Sequence, residues 1–97
     1  MRFRVARRAR QELVDILDYT ARHNRGAADR LKRQFDVAFG NLKLFPRMGK
    51  QIDELPGRPR VVVVEPYLIL YEIAADELTV IRVVHGRRDV KALLDEQ

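Results

Sequence analysis

The chain contains no cysteine and no serine. The first absence excludes disulfides, a thiol nucleophile and any Cys-based zinc site. The second excludes a Ser-based hydrolase. There is no Gly-rich phosphate loop, and no carboxylate–histidine set has metal-ligand spacing, so neither a cofactor nor a metal is expected. Long apolar runs are also missing. The longest, residues 61–64 and 67–71, are separated by Glu65-Pro66, and neither approaches the roughly 20 residues needed to span a bilayer. The first ten residues hold no apolar core of the kind a secretory signal needs. The expectation is a cytoplasmic protein with no membrane attachment.

What is present is an ordinary globular balance, 46% hydrophobic and 34% charged, which is not that of a disordered chain. Its 97 residues suit one domain, residues 1–97, with a modest core. The net charge is +5 and unevenly spread: residues 1–10 hold five arginines and no acid, and residues 25–50 hold seven Lys or Arg against Asp29 and Asp36. Such a distribution favours an acidic partner, whether nucleic acid, ribosome or an acidic protein segment.

Periodicity gives the elements. Phe3 and Val5 alternate with Arg2 and Arg4, which reads as a short strand with one buried face. Ala9, Leu13, Ile16, Leu17 and Thr20 then form a helical stripe, and Ala28, Leu31, Phe35, Ala38, Phe39 and Leu42 form a second. Asn24 is the candidate N-cap between them, Asp29 is assigned to the first turn of the second helix, and Pro46 ends that helix. Asp18 with Arg22, and Asp29 with Arg33, are spaced for helical ion pairs. Residues 46–59 carry three prolines and two glycines, so they are predicted to form a loop. Three strands follow at 60–65, 67–74 and 78–85, rich in β-branched and aromatic residues. Links this short make them antiparallel neighbours. In the middle strand Tyr67, Ile69, Tyr71 and Ile73 share one face, expected against the helices. Val90, Leu93 and Leu94 suggest a short terminal helix over 89–96. The predicted fold class is α+β, ordered β-α-α-β-β-β, with an N-terminal helical hairpin packed on an antiparallel sheet.

The chemistry gathers where the last strand ends, in Val83-Val-His85-Gly-Arg87-Arg88-Asp89. His85 is the neutral-pH proton carrier of this region; its structural alternative is a hydrogen bond to a carbonyl or to a carboxylate such as Asp89. Strict alternation puts Arg82 on one face with Leu78, Val80 and Val84. Buried there it needs an anion, for which Glu72 is the candidate; on an open face it meets a partner. Arg87 and Arg88 are expected to be exposed and suited to carboxylates.

Four segments together resemble the ParE/RelE toxin superfamily of type II toxin–antitoxin systems, in its ParE-like (plasmid stabilisation) branch. They are Ala9-Arg-Gln-Glu-Leu13-Val-Asp15-Ile-Leu-Asp-Tyr19, Leu42-Lys-Leu-Phe-Pro46-Arg-Met-Gly49, Pro66-Tyr67-Leu-Ile-Leu-Tyr71, and the His85 segment above. The resemblance implies a cytoplasmic toxin neutralised by direct binding of a cognate acidic antitoxin, by helix-in-groove packing or strand addition. The ParE-like branch implies inhibition of DNA gyrase, with Arg82, His85, Arg87 and Arg88 as target- or antitoxin-binding residues and no sequence-specific DNA binding by this chain. The RelE-like branch implies instead a ribosome-dependent, metal-free mRNA interferase. Arg60 and Arg82 would then stabilise charge, His85 would move a proton and Lys50 would reach in from the loop. The chain departs from that second pattern: no tyrosine follows the last strand, and the loop lacks the RelE lysine cluster. A third possibility is a member without toxicity that retains antitoxin binding.

Overall fold

The computed structural model describes residues 1–89 and Leu93. Strand β1 (Arg2–Val5) leads into helix α1 (Arg7–His23) and helix α2 (Arg25–Leu44), followed by β2 (Lys50–Gln51), β3 (Arg60–Val64), β4 (Tyr67–Ala74) and β5 (Glu77–His85). The sheet runs β1-β5-β4-β3-β2. No helix among the described residues is long and apolar enough to cross a membrane.

The helical hairpin follows the two predicted stripes. Ala9 of α1 and Ala28, Leu31, Phe35, Ala38 and Leu42 of α2 are buried. Phe39 is half-buried, its ring 5.6 Å from Phe3 and 6.4 Å from Phe35. Asn24 alone joins the helices. Its amide donates to the Thr20 carbonyl and closes α1, while its Oδ1 accepts from Ala27 N at 2.9 Å and opens α2. One residue thus satisfies orphan groups of two helix ends. Asp29 lies beyond the first turn, which holds no acid, and the intrahelical ion pair that forms is Lys32–Asp36 at 3.2 Å.

The three C-terminal strands are antiparallel as predicted, but the sheet as a whole is mixed. β1 lies parallel to β5, with Phe3 opposite Leu78 and Val5 opposite Val80. The long connection that a parallel pair requires is the whole intervening chain, both helices and then β2, β3 and β4. The loop over 46–59 is also more ordered than its prolines and glycines suggest, because β2 pairs with the start of β3.

The main core lies between helices and sheet, and Tyr71, Ile69, Val80 and Leu42 within it are fully enclosed. The other face of the sheet is covered as well: Leu55, Leu70, Val84 and Leu93 form a second cluster, joined by Ile52, Leu68 and Ile81. A bulge links the two. Leu70 faces Arg82 but Tyr71 faces Val80, leaving Ile81 as the extra residue. The inserted residue shifts the alternation. Leu78, Val80 and Val83 therefore enter the helix-side core while Val84 enters the second cluster, so the single face predicted for Leu78, Val80, Arg82 and Val84 does not exist. The predicted helix over 89–96 lies outside the described residues except for its first residue and Leu93, whose amide donates to the Asp89 carbonyl at 3.0 Å.

Candidate functional site

β1 stops at Val5, opposite Val80, so the rest of β5 has no strand on that side. Glu12, on the second turn of α1, takes the strand's place. Its Oε1 accepts from the Val83 amide at 2.9 Å, and its carboxylate holds the Arg82 guanidinium through Nη2 at 2.9 Å and Nε at 3.0 Å. The pair is largely buried, with side-chain exposures of 16% and 22%. The anion for Arg82 is thus Glu12, not the predicted Glu72, because Glu12 sits at the edge of β5 that β1 leaves uncovered, on the amide of the next residue. The guanidinium is committed to the fold.

Beyond Arg82 the chain turns sharply. His85 Nδ1 accepts from the amides of Arg87 and Arg88, each at 3.2 Å. The ring proton therefore resides on Nε2. The His85 amide donates to Asp89 Oδ2 at 2.9 Å, and the Gly86 amide donates to the Pro66 carbonyl at 2.8 Å. The imidazole stands edge-on to Tyr67, 5.7 Å between ring centres. His85 thus acts as a cap for the turn, and Asp89 bonds its backbone amide. Arg87 and Arg88 emerge exposed from this fixed turn, and neither side chain has an ion-pair partner among the described residues.

Arg60 belongs to the other end of the sheet. Its Nη1 donates to the carbonyls of Gly49 at 2.7 Å and Arg47 at 3.2 Å. Beside it the buried Tyr71 hydroxyl donates to the Pro46 carbonyl at 2.7 Å and accepts from the Gly49 amide at 2.9 Å. Arg60 faces Tyr71, while His85 faces Tyr67 four residues along β4, which amounts to about 13 Å of strand. Lys50 lies exposed in β2, opposite Val61. Arg60, Arg82 and His85 therefore do not converge on one point. His23, in the helix turn, is exposed; its Nδ1 is 2.9 Å from the Tyr19 carbonyl, and its ring lies on that of Tyr19.

A further concavity among the described residues is one that sequence reasoning did not single out. A groove of about 730 Å³ runs between α2 and β3, floored by Ala38, Val62 and Val64 and flanked by Val37, Met48 and Val63. Those three flanking side chains are 63%, 50% and 57% exposed. Arg30 and Arg33 line the same groove. β2 covers only Arg60 and Val61 of β3, so residues 62–64 present an unpaired strand edge to it. The available signals were an off-stripe valine in α2 and a four-valine run in which alternate residues must face outward.

Comparison with known proteins yields three findings. The family model described as the ParE toxin of type II toxin-antitoxin system, parDE, matches residues 3–90. Toxin ParE3 of Caulobacter vibrioides is 28% identical over 64 residues, 66% of this chain and 64% of that protein, so the match spans less than two thirds of the relative. Among solved structures, a chain of the chromosomal ParDE TA system from P. aeruginosa superposes with a TM-score of 0.74 at 19% identity, covering 88% of this chain and 95% of that one. At that identity the last likeness concerns the fold.

Proposed function

The chain belongs to the ParE toxin family of type II toxin–antitoxin systems, and we propose that its α2–β3 groove seats a cognate acidic antitoxin and that its toxic action is inhibition of DNA gyrase. The groove is the observation that carries the first part. It is lined mainly by apolar side chains with Gln34 and Asn41 among them, carries Arg30 and Arg33 against the single acid Glu65, and borders an unpaired strand edge. An amphipathic segment with acidic flanks fits it in both modes, its apolar side chains on Val37 and Val63 and its backbone along residues 62–64. Buried apolar area holds such a segment, and the arginines select its charge.

For the target, the turn after β5 is the presenting surface. Arg87 and Arg88 contact acidic groups of gyrase, while His85 and Asp89 hold the turn that displays them and Arg82 ties the strand before it to α1. A RelE-like cleavage requires Arg60, Arg82 and His85 to bear on one scissile phosphate. Their separation along the sheet and their commitments to Gly49, Glu12 and the Arg87–Arg88 amides count against it. Both antitoxin and gyrase are cytoplasmic, and the toxin acts there.

The test is a paired assay on purified toxin, with and without the product of the adjacent small reading frame. Loss of supercoiling with intact mRNA in a reconstituted translation reaction, reversed by the partner, is the expected result. Ribosome-dependent mRNA cuts with unaffected supercoiling would replace gyrase as the target. For the groove, Val37→Glu is expected to abolish co-purification with the antitoxin while leaving the circular-dichroism melt unchanged, since Val37 is exposed.

A further inference from the structure

β4 runs to Ala74, but β3 begins only at Arg60, opposite Tyr71. Residues 72–74 therefore have no strand on that side, and a cavity of about 410 Å³ lies at this bare edge. That volume falls within the roughly 300–1,000 Å³ of small-molecule pockets. Arg47, Arg58 and Arg60 line it together with one acid, Glu72. Arg60 is half-buried and spends Nη1 on the Gly49 and Arg47 carbonyls; its Nε and Nη2 have no hydrogen bond among the described residues. Arg58 meets Asp53 through Nε at 3.2 Å. Arg47 and Glu72 have no ion-pair partner among the described residues. Opposite charges thus share one cavity without pairing across it. The loop that closes this end is closely fitted. Gly57 stands at φ 78° and Arg58 at φ 51°, a region that a residue with a side chain occupies only where its surroundings hold it there. A Cβ on Gly57 would overlap Glu72 Oε2, so the loop lies directly against the carboxylate.

The charge pattern selects the ligand. With Asp53 set against Arg58, Arg47 and Arg60 remain against Glu72, which calls for an anion that also carries a hydrogen-bond donor. A phosphate supplies up to two negative charges and matches the guanidinium fork. The donor for Glu72 must be neutral, because an ammonium would stand among the same guanidiniums. A hydroxyl meets that need, as when an acidic side chain holds a ribose hydroxyl. An acidic peptide fits less well, since its further carboxylates would face Glu72. We propose that this cavity binds a phosphomonoester of a hydroxylated carbon skeleton, a sugar phosphate or nucleoside monophosphate, with its phosphate on the three arginines and a hydroxyl on Glu72. Tyr71, at the cavity floor, is fully buried and offers no face to a base, so the sugar phosphate is the part that is gripped. Arg82 and His85 do not line the cavity, and the proposal concerns binding, not cleavage. It draws on neither the α2–β3 groove nor gyrase.

The experiment titrates the full-length toxin with ribose 5-phosphate, inorganic phosphate, free ribose and AMP, by calorimetry and by ¹⁵N amide spectra. Saturable one-to-one binding of ribose 5-phosphate is expected, about tenfold tighter than inorganic phosphate for one hydrogen bond to a charged group. Amide shifts should centre on residues 47–51, 57–60 and 71–74. Arg47→Gln, at an exposed position, should weaken ribose 5-phosphate and inorganic phosphate alike, by about tenfold or more. Glu72→Met should tighten inorganic phosphate and abolish the preference for the sugar phosphate. Arg22→Gln removes an exposed cation outside the cavity and should change neither affinity. AMP separates the two sources: tighter binding than ribose 5-phosphate names a nucleotide, equal or weaker binding the sugar phosphate. Equal losses in Arg47→Gln and Arg22→Gln would reduce the effect to net charge and overturn the assignment. So would shifts spread over the basic surface without saturation, free ribose binding as tightly as its phosphate, or an acetylated glutamate dipeptide binding more tightly than ribose 5-phosphate. The circular-dichroism melt of each variant keeps a folding defect from passing as lost binding. Supercoiling inhibition and antitoxin capture are scored separately, so this proposal can fail while those readings stand.

Discussion

The two ends of the β3–β4–β5 sheet carry similar side chains put to different uses. At one end Arg60 and Tyr71 bind the carbonyls of Pro46, Arg47 and Gly49, and the cation is spent on holding a loop. At the other end the histidine ring and the Asp89 carboxylate bind backbone amides, and the guanidiniums of Arg87 and Arg88 have no ion-pair partner among the described residues. Arg82 sits between them and is spent on Glu12. An arginine near a sheet end therefore says little about function until its hydrogen bonds are traced. Fold uses the donors at the Arg60 end; at the His85 end fold uses the backbone and leaves the charged side chains exposed.

The sharpest way to break this contrast is to remove Glu12. Glu12→Ala strands a largely buried guanidinium and exposes the Val83 amide at an edge with no strand. A loss of about 3 kcal/mol is expected, at the low end for a broken buried pair because both side chains keep some solvent. Urea unfolding checks it, and a loss below about 1 kcal/mol would show that Arg82 finds other partners. At the Arg60 end, Gly49→Ala should be nearly as severe. A Cβ there would lie 2.7 Å from the Tyr71 hydroxyl and 2.8 Å from the Val61 carbonyl, so the loop must move, at a cost of about 1–3 kcal/mol. Tyr71→Phe is milder in volume but leaves the Pro46 carbonyl and Gly49 amide unmet, worth about 1–2 kcal/mol. Both are predicted to lower the melting midpoint without altering gyrase inhibition per folded molecule.

How much of this was legible follows from which interactions are local. The helical stripes, the Asn24 cap, the end of α2 before Pro46 and the inward face of β4 depend on neighbours within a few residues, and each reads directly. The parallel pairing of β1 with β5 and the clasp of Glu12 on Arg82 join residues about seventy positions apart, and nothing local encodes them. The Ile81 bulge had the largest consequence. One added residue shifted the alternation of β5 and split Leu78 and Val80 from Val84, while Arg82 found its anion at the bare strand edge, in Glu12. At the candidate site, the exposure of Arg87 and Arg88 was legible because they follow a strand end beside a glycine. The groove was not, because it exists only where the outer side of α2 meets a strand edge that β2 leaves bare.

The smallest effects on stability fall where the proposed function is concentrated. Removing the His85 ring by His85→Ala deletes the acceptor for two turn amides and the contact with Tyr67. About 1 kcal/mol is expected, because both amides are near solvent and water replaces the lost acceptor. Arg87→Ala and Arg88→Ala, exposed and without an ion-pair partner among the described residues, should each change stability by no more than about 0.5 kcal/mol. If His85 acts by fixing the turn, then His85→Ala and the double arginine variant should both weaken gyrase inhibition, by about tenfold or more for lost charge-assisted contacts. His85→Asn supplies a side-chain oxygen able to accept from the same amides and should recover part of it, whereas no substitution at His85 should rescue the double variant. Dose–response curves of supercoiling inhibition separate the cases. Full potency in the double arginine variant would mean that the free guanidiniums of this end serve the fold's solubility, and the contrast with the Arg60 end would lose its functional meaning.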